Sequence, residues 1–222
     1  FAIVSFFGML AFAGMRAWVP YLKPLPDSGL KGQFRFLRHA EPWLVYAGVF
    51  FGQASVYTYL SYIDPVMTEV AGFSAASMSW IMVVAGLGMV VGNMLAAKLS
   101  DRYSAALVTG ILAACVVVIM PVLYLCASMK VPVVILSFVA TACLFGIGGP
   151  LQYIIVRYAK GGEMLGGAGI QIAFNVSNAI AAVLGGAAIH AGFGIASPAL
   201  AGIPCAVIGA AALFILHYRY KA

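Results

Sequence analysis

Residues 164–218 read MLGGAGIQIAFNVSNAIAAVLGGAAIHAGFGIASPALAGIPCAVIGAAALFILHY, 55 residues without a lysine, arginine, aspartate or glutamate. A helix that crosses a bilayer needs about 20 mostly apolar residues. This run therefore holds two crossings and a turn, and the turn is Gly192-Phe193-Gly194-Ile195-Ala196-Ser197-Pro198, where glycines and a proline interrupt the apolar pattern. Outward from this stretch, further charge-free runs cover 1–15, 42–63, 70–97, 103–129 and 131–156. Each has the length of one span or slightly less. The sequence thus predicts seven helices near 1–19, 43–66, 75–98, 104–127, 131–156, 166–190 and 198–218.

Composition agrees. Of 222 residues, 64% are hydrophobic and 8% charged, against about 45–50% and roughly 25% in soluble domains. A soluble domain is excluded. A β-barrel would show segments of about ten residues alternating apolar and polar, and none does so. The expectation is an all-α polytopic membrane protein.

The net charge of +6 does not mark a nucleic-acid partner, because the basic residues punctuate apolar runs instead of clustering on one exposed face. They mark orientation. With the first helix running outward to inward, Arg16, Lys23, Lys31, Arg35, Arg38, Lys98, Arg102, Arg157, Lys160, Arg219 and Lys221 fall on one side and only Lys130 on the other. Basic residues flanking spans resist translocation. The C-terminus, the 20–42 connection and the loops near 100 and 160 are expected to be cytoplasmic.

The chain starts with Phe1, and its first apolar run has neither a basic leader nor a small-residue cleavage site, so that run does not read as a signal peptide and Phe1 reads as an internal starting point. Cys115, Cys126, Cys143 and Cys205 lie within apolar spans without CxxC spacing or histidine neighbours, and are expected to be buried free thiols. No metal or cofactor is expected. No serine, histidine and acid fall at one membrane depth, which argues against an enzyme.

The connection at 20–42 has two parts. Pro20 to Gly29 is a proline- and glycine-rich linker, while Lys31 to Arg38 alternates basic residues with Phe34, Phe36 and Leu37. The second part reads either as a short amphipathic helix on the inner membrane surface, its cations near anionic headgroups, or as an irregular loop.

A long cytoplasmic linker followed by six closely connected spans resembles the C-terminal half of a major facilitator superfamily transporter. The resemblance extends to Gly86-Leu87-Gly88-Met89-Val90-Val91-Gly92 followed by Leu99-Ser100-Asp101-Arg102 at the cytoplasmic turn, similar to that superfamily's loop motif. The motif's second basic cluster is replaced by Tyr103-Ser104-Ala105. Within the superfamily the chain is similar to bacterial arabinose efflux permeases, a branch of drug/proton antiporter-like exporters. The stretches that carry this likeness are Gln33 to Arg38 before Pro42-Trp43-Leu44, Gly86 to Leu95, Pro150-Leu151-Gln152, Ala159 to Glu163, Gln171 to Asn175 and Tyr218 to Lys221. The resemblance implies residues 1–19 as the last helix of the N-terminal half, 20–42 as the linker between halves and 43–222 as the six-helix C-terminal half of a twelve-helix fold. It further implies export of a sugar-like (arabinose-type) or small amphipathic solute, driven by protons. The alternatives are a multidrug or nucleoside exporter, or a non-transporting membrane scaffold or solute sensor. The expected partners are a small-molecule substrate, the lipid bilayer and the missing N-terminal half.

In such a repeat architecture the substrate site lies near the bilayer midplane between the halves, so its wall should show uncharged polar residues in mid-span. Gln171, Asn175 and Asn178 are spaced i, i+4, i+7 on one helix face. Carboxamides facing lipid are costly unless paired or wet, so these three either line a cavity or form interhelical hydrogen bonds. Gln53 and Tyr57 sit deep in the 43–66 helix, and Gln152 joins them as a candidate. Tyr62 near the helix end reads as an interface residue, and Pro65 as a break. Asp64 falls near the outer interface, Glu69 and Glu163 in loops, and His190 at an outer helix end. No acid stands at mid-membrane, which points any proton site to residues outside this chain. Asp101 and Arg102 are candidates for an inner gate: the acid can accept hydrogen bonds from the first N–H groups of the next helix and complement its positive end, and the resemblance implies a latch made of the same charges. Gly88 and Gly92 form a GxxxG pair for close helix packing, and Gly146 to Pro150 should flex or kink their helix. Ala181 to Gly186 imperfectly resembles an antiporter Gly-Pro motif and reads as packing.

Overall fold

The computed structural model describes residues 2–18 and 32–220. The linker segment 20–29, with Lys23, Lys31 and Lys221, lies outside the described residues. Seven longer helices occur among the described residues, which contain no strand. They are α1 (Ala2–Trp18), α2 (Ala40–Leu60), α3 (Met78–Arg102), α4 (Ala105–Leu125), α5 (Lys130–Tyr158), α6 (Glu163–Ala188) and α7 (Ile203–Tyr220).

Five helical segments are long and apolar enough to cross a membrane: Ala75–Arg102, Ala105–Leu125, Lys130–Tyr158, Glu163–Phe193 and Pro198–Tyr220. That is two fewer than the seven spans expected. The difference has a simple origin. The described part of α1 has only 17 residues, and α2 dilutes its apolar content with Gln53, Tyr46, Tyr57, Tyr59 and two glycines.

Proline and glycine chemistry places the breaks. The expected 43–66 helix stops at Leu60, with Tyr62 at φ −119° and ψ 19°, and resumes as a short turn, Ile63–Pro65, followed by a wider turn, Val66–Val70. A proline ring clashes with the carbonyl four residues back, which here is Ser61, so the interruption precedes Pro65. Between α6 and α7 the chain reverses through Gly192 (φ 84°) and Gly194 (φ 90°), left-handed conformations that favour glycine. In contrast, α5 runs as one helix through Gly146 to Pro150, the stretch expected to flex or kink it.

The hydrogen bonds between helices reveal their directions. Gln53 and Tyr59 on α2 reach Leu144 and Ser137 on α5 respectively, so these two helices are antiparallel. Tyr46 and Tyr62 reach Gly166 and Ala182, so α2 and α6 are parallel. Glycines let backbones approach: a Cβ on Gly88 would stand 2.5 Å from the Phe138 carbonyl, Gly92 lies against the Ala142 backbone, and a Cβ on Gly209 would stand 2.8 Å from the Gly52 nitrogen. The first two are the expected GxxxG pair, seating α3 on α5; the third seats α7 on α2.

Two apolar clusters stack along the bundle. One gathers Val56, Tyr59, Met67, Val116, Leu123 and Val133 toward one end, and the other gathers Val49, Ala106, Ile147, Ile155 and Leu213 toward the opposite end. Helix α2, with eleven buried residues, is interior, as are α4, α5 and α7, with 44% of their most apolar stretch buried. The equivalent share is 28% for α3 and 17% for α6, which occupy the edges of the packing. None of the described side chains of α1 from residue 5 onward is buried.

One sequence expectation needs correction. Cys143 and Cys205 are buried, but Cys115 is exposed on α4. Tyr62, expected at the interface, also packs its ring on Gly185 and Gly186, and its hydroxyl donates to the Ala182 carbonyl at 2.9 Å.

Candidate functional site

The best-defined polar feature lies where α2 meets α5 and α6. Gln53 is 1% exposed; its Nε2 donates to the Leu144 carbonyl at 3.1 Å, while its Oε1 is buried with no partner. Gly148 makes room for this carboxamide, since a Cβ there would stand 3.2 Å from the Gln53 Nε2. Across the seam, the half-buried Asn178 on α6 also has a buried Oδ1 without a partner. Tyr57 stands beside Asn178, with its ring edge-to-face on Phe174 at a centroid separation of 5.6 Å. Two buried acceptors left unpartnered are costly; groups in this state mark a place that water or a ligand can fill.

The remaining sequence candidates are exposed. Gln171 and Asn175 are exposed on α6, and the Asn175 Nδ2 donates back to the Gln171 carbonyl at 3.0 Å. Gln152 is exposed on α5 and faces α6, its Nε2 3.0 Å from where a Cβ of Gly167 would stand. The structure therefore brings Tyr57 and Asn178 together, seats Gln53 against α5, and leaves Gln152, Gln171 and Asn175 accessible.

The seam depends on hydroxyl groups that periodicity alone did not single out. Ser177 Oγ donates to the Phe50 carbonyl at 2.6 Å and Tyr46 to Gly166 at 3.1 Å, so with Tyr62 three hydroxyls bind α6 to α2 along its length. Ser177 immediately precedes Asn178, and its bond fixes the face that Asn178 presents. A further missed residue is Asn93 on α3, whose Oδ1 lies 2.6 Å from the Cβ position of Gly149. Its signal was available as a lone carboxamide in an apolar run.

At the end of the bundle holding the 100 and 160 loops, a cavity of about 1170 Å³ is lined by Ser100, Asp101, Ser104, Arg157, Lys160 and Glu163, among others. Ser100 Oγ is buried there without a partner, and the Glu163 carboxylate accepts from the Gly161 N–H at 3.0 Å. Asp101 lines this cavity, and Arg102 is exposed and not among its lining residues. The cap expected of Asp101 belongs to a different residue. Ser104 Oγ accepts the Leu107 N–H at 3.1 Å and pairs with His217 Nδ1 at 2.9 Å, joining the start of α4 to the end of α7. Asp101 still belongs to the last turn of α3, and the chain must extend through Tyr103 before α4 begins. None of the six substrate candidates lines this cavity. Among the described residues, no cluster of three or more histidines, cysteines or acids could hold a metal.

No family model matches the sequence. The chain is 38% identical over 223 residues to AraJ of Escherichia coli K12, an alignment covering 100% of this chain and 56% of AraJ, in its C-terminal half. It is 28% identical over 185 residues to YfhI of Bacillus subtilis, named an MFS-type transporter, covering 83% of this chain and 46% of YfhI. A chloramphenicol resistance protein of Streptomyces lividans is 29% identical over 126 residues, 57% of this chain and 32% of that protein. The chain thus spans about half the length of the curated relatives it matches, and those relatives are named as transporters or as a resistance protein, not as enzymes. Its apolar helices and its kinship agree: the chain is a homologue of MFS-type transporters, a multi-pass membrane protein resembling the C-terminal half of AraJ.

Proposed function

We propose that the intact protein is a secondary active exporter of the bacterial inner membrane. In this reading all seven long helices cross the bilayer, α1 closes the N-terminal half, α2 to α7 form the C-terminal half, and the C-terminus is cytoplasmic. A sugar-like (arabinose-type) or small amphipathic solute moves outward in exchange for protons as one half rocks against the other. Gln53, Tyr57, Gln152, Gln171, Asn175 and Asn178 line this half's wall of the substrate path, and Asp101 with Arg102 serve the inner gate. The proton site lies in the other half.

The observation that carries this reading is two buried carboxamide oxygens without a partner, Gln53 Oε1 on α2 and Asn178 Oδ1 on α6, the second beside Tyr57. Such a wall presents acceptors to hydroxyl or amine donors and an aromatic face to apolar carbon. A drug exporter is the second reading, favoured by the likeness to the chloramphenicol resistance protein.

The test is flux from vesicles holding the intact protein. Arabinose-like sugars should move in a proton-gradient-dependent manner; movement of chloramphenicol-like drugs alone selects the second reading, and movement of neither class defeats both. Replacing Gln171 and Asn175 by Leu should lower flux with little loss of stability, because both side chains are exposed.

A further inference from the structure

The segment before α2 is seated on the bundle. Phe36 is 5% exposed and packs among Ala159, Ile155 and Val45. Gly162 in the α5–α6 turn makes the seat: its Cβ position stands 3.0 Å from the Phe36 ring and collides with the Gln33 carbonyl. The Arg35–Arg38 turn is then tied to α2 by Trp43, whose Nε1 donates to the Leu37 carbonyl at 2.8 Å.

Burying Phe36 turns its neighbours outward. Phe34 is 51% exposed and the Trp43 ring 58% exposed, and between them Arg35 and Arg38 are exposed as well. The α5–α6 turn on which the segment sits adds an exposed Lys160, with Arg157 exposed one turn earlier. Glu41, the acid nearest in sequence, is half-buried and faces Tyr158. Bulk water disfavours two large bare aromatics and hydrocarbon disfavours guanidinium groups, whereas the headgroup layer accommodates both. An anionic headgroup layer complements the charge.

We propose that residues 34–43, seated on the α5–α6 turn, form a docking surface for the anionic phospholipid headgroups of the leaflet at that end of the bundle. The inference rests on the reading that α2 and α5 cross the bilayer, and on nothing about the substrate. Bound lipid then holds this end of the chain at a fixed depth through Arg35 and Arg38.

The test uses the whole chain with Trp18 and Trp80 replaced by Phe, leaving Trp43 as the only tryptophan. It is reconstituted in phosphatidylcholine vesicles carrying an equal mole fraction of brominated phosphatidylglycerol or brominated phosphatidylcholine. Quenching of Trp43 should report local enrichment of phosphatidylglycerol by about fivefold or more, the scale expected for one or two basic side chains at an anionic surface. Salt should erase the enrichment. R35Q/R38Q, which leaves the Phe36 seat intact, should abolish it, and R35K/R38K should keep it. G162V should also reduce it by unseating Phe36; because that variant can fail to fold, the arginine pair carries the decision. Equal quenching by both lipids in the unaltered segment overturns the proposal while leaving α2 in the membrane. Quenching by neither lipid overturns it together with the placement of α2.

Discussion

Gln53 shows how one side chain can serve packing and chemistry together. Its amide nitrogen is consumed in tying α2 to α5, and its oxygen remains buried and unpartnered. Interhelical hydrogen bonds in membranes contribute only about 1 kcal/mol each, so Gln53→Leu should shift thermal unfolding modestly while removing one acceptor from the substrate path. Measured flux for Gln53→Leu and Asn178→Leu should fall by at least about tenfold if each oxygen contacts solute, the loss typical of a hydrogen bond worth roughly 1.5 kcal/mol. Unchanged flux would assign both residues to packing. Gly92 provides the steric counterpart. Its Cβ position collides with the Ala142 backbone, whereas Gly86 has open space. Gly92→Val should therefore destabilise by about 1–3 kcal/mol or prevent assembly, and Gly86→Val should not; thermal unfolding in detergent compares the two.

At the scale of elements, the edge helices carry the functional signal. α6 is long and apolar yet has the least buried window of the five candidate spans, and it holds three carboxamides spaced on one face. Its attachment to α2 runs through Tyr46, Ser177 and Tyr62, leaving the face of Gln171 and Asn175 open. The i, i+4, i+7 spacing in the sequence revealed this face. It did not show that Asn178 turns toward Tyr57 while Gln171 and Asn175 stay accessible, because helical angle alone does not say where a parallel neighbour sits. The junction of α3 and α4 shows a similar division. The sequence located the turn and favoured Asp101 as its cap, whereas the extended backbone at Tyr103 and Ser104 moves the cap three residues onward, to Ser104. Ser104→Ala should cost about 1 kcal/mol, and Ser104→Asp should recover part of it through the helix's positive end. Chemical or thermal denaturation of the reconstituted chain checks both.

For the whole molecule, the arrangement of α3 and α6 at the edges and α2, α4, α5 and α7 inside leaves two helices underfilled. In the proposed reading their open faces, and those of Gln152, Gln171 and Asn175, meet the other six-helix half. The 222-residue chain expressed alone should then give no proton-gradient-dependent flux, and supplying the other half in the same vesicles should restore it. Flux from the isolated chain would refute the two-halved path.

What the sequence determined by itself was the class, a chain of long apolar helices. The bilayer leaves few choices: long uncharged runs must satisfy their backbone as helices, and glycine and proline set where they stop. It also nominated the carboxamides, since a polar side chain in an apolar run stands out in any window. Tertiary structure alone decided which of those groups meet. The unpartnered oxygens of Gln53 and Asn178, the seat that Gly162 makes for Phe36 and the bond between Ser104 and His217 all depend on pairs of segments far apart in the chain. Those pairings follow from close backbone approach at Gly52, Gly92 and Gly209 and from hydroxyl bonds between helices; the Gly88–Gly92 spacing marks a close approach in the sequence but not the helix that makes it.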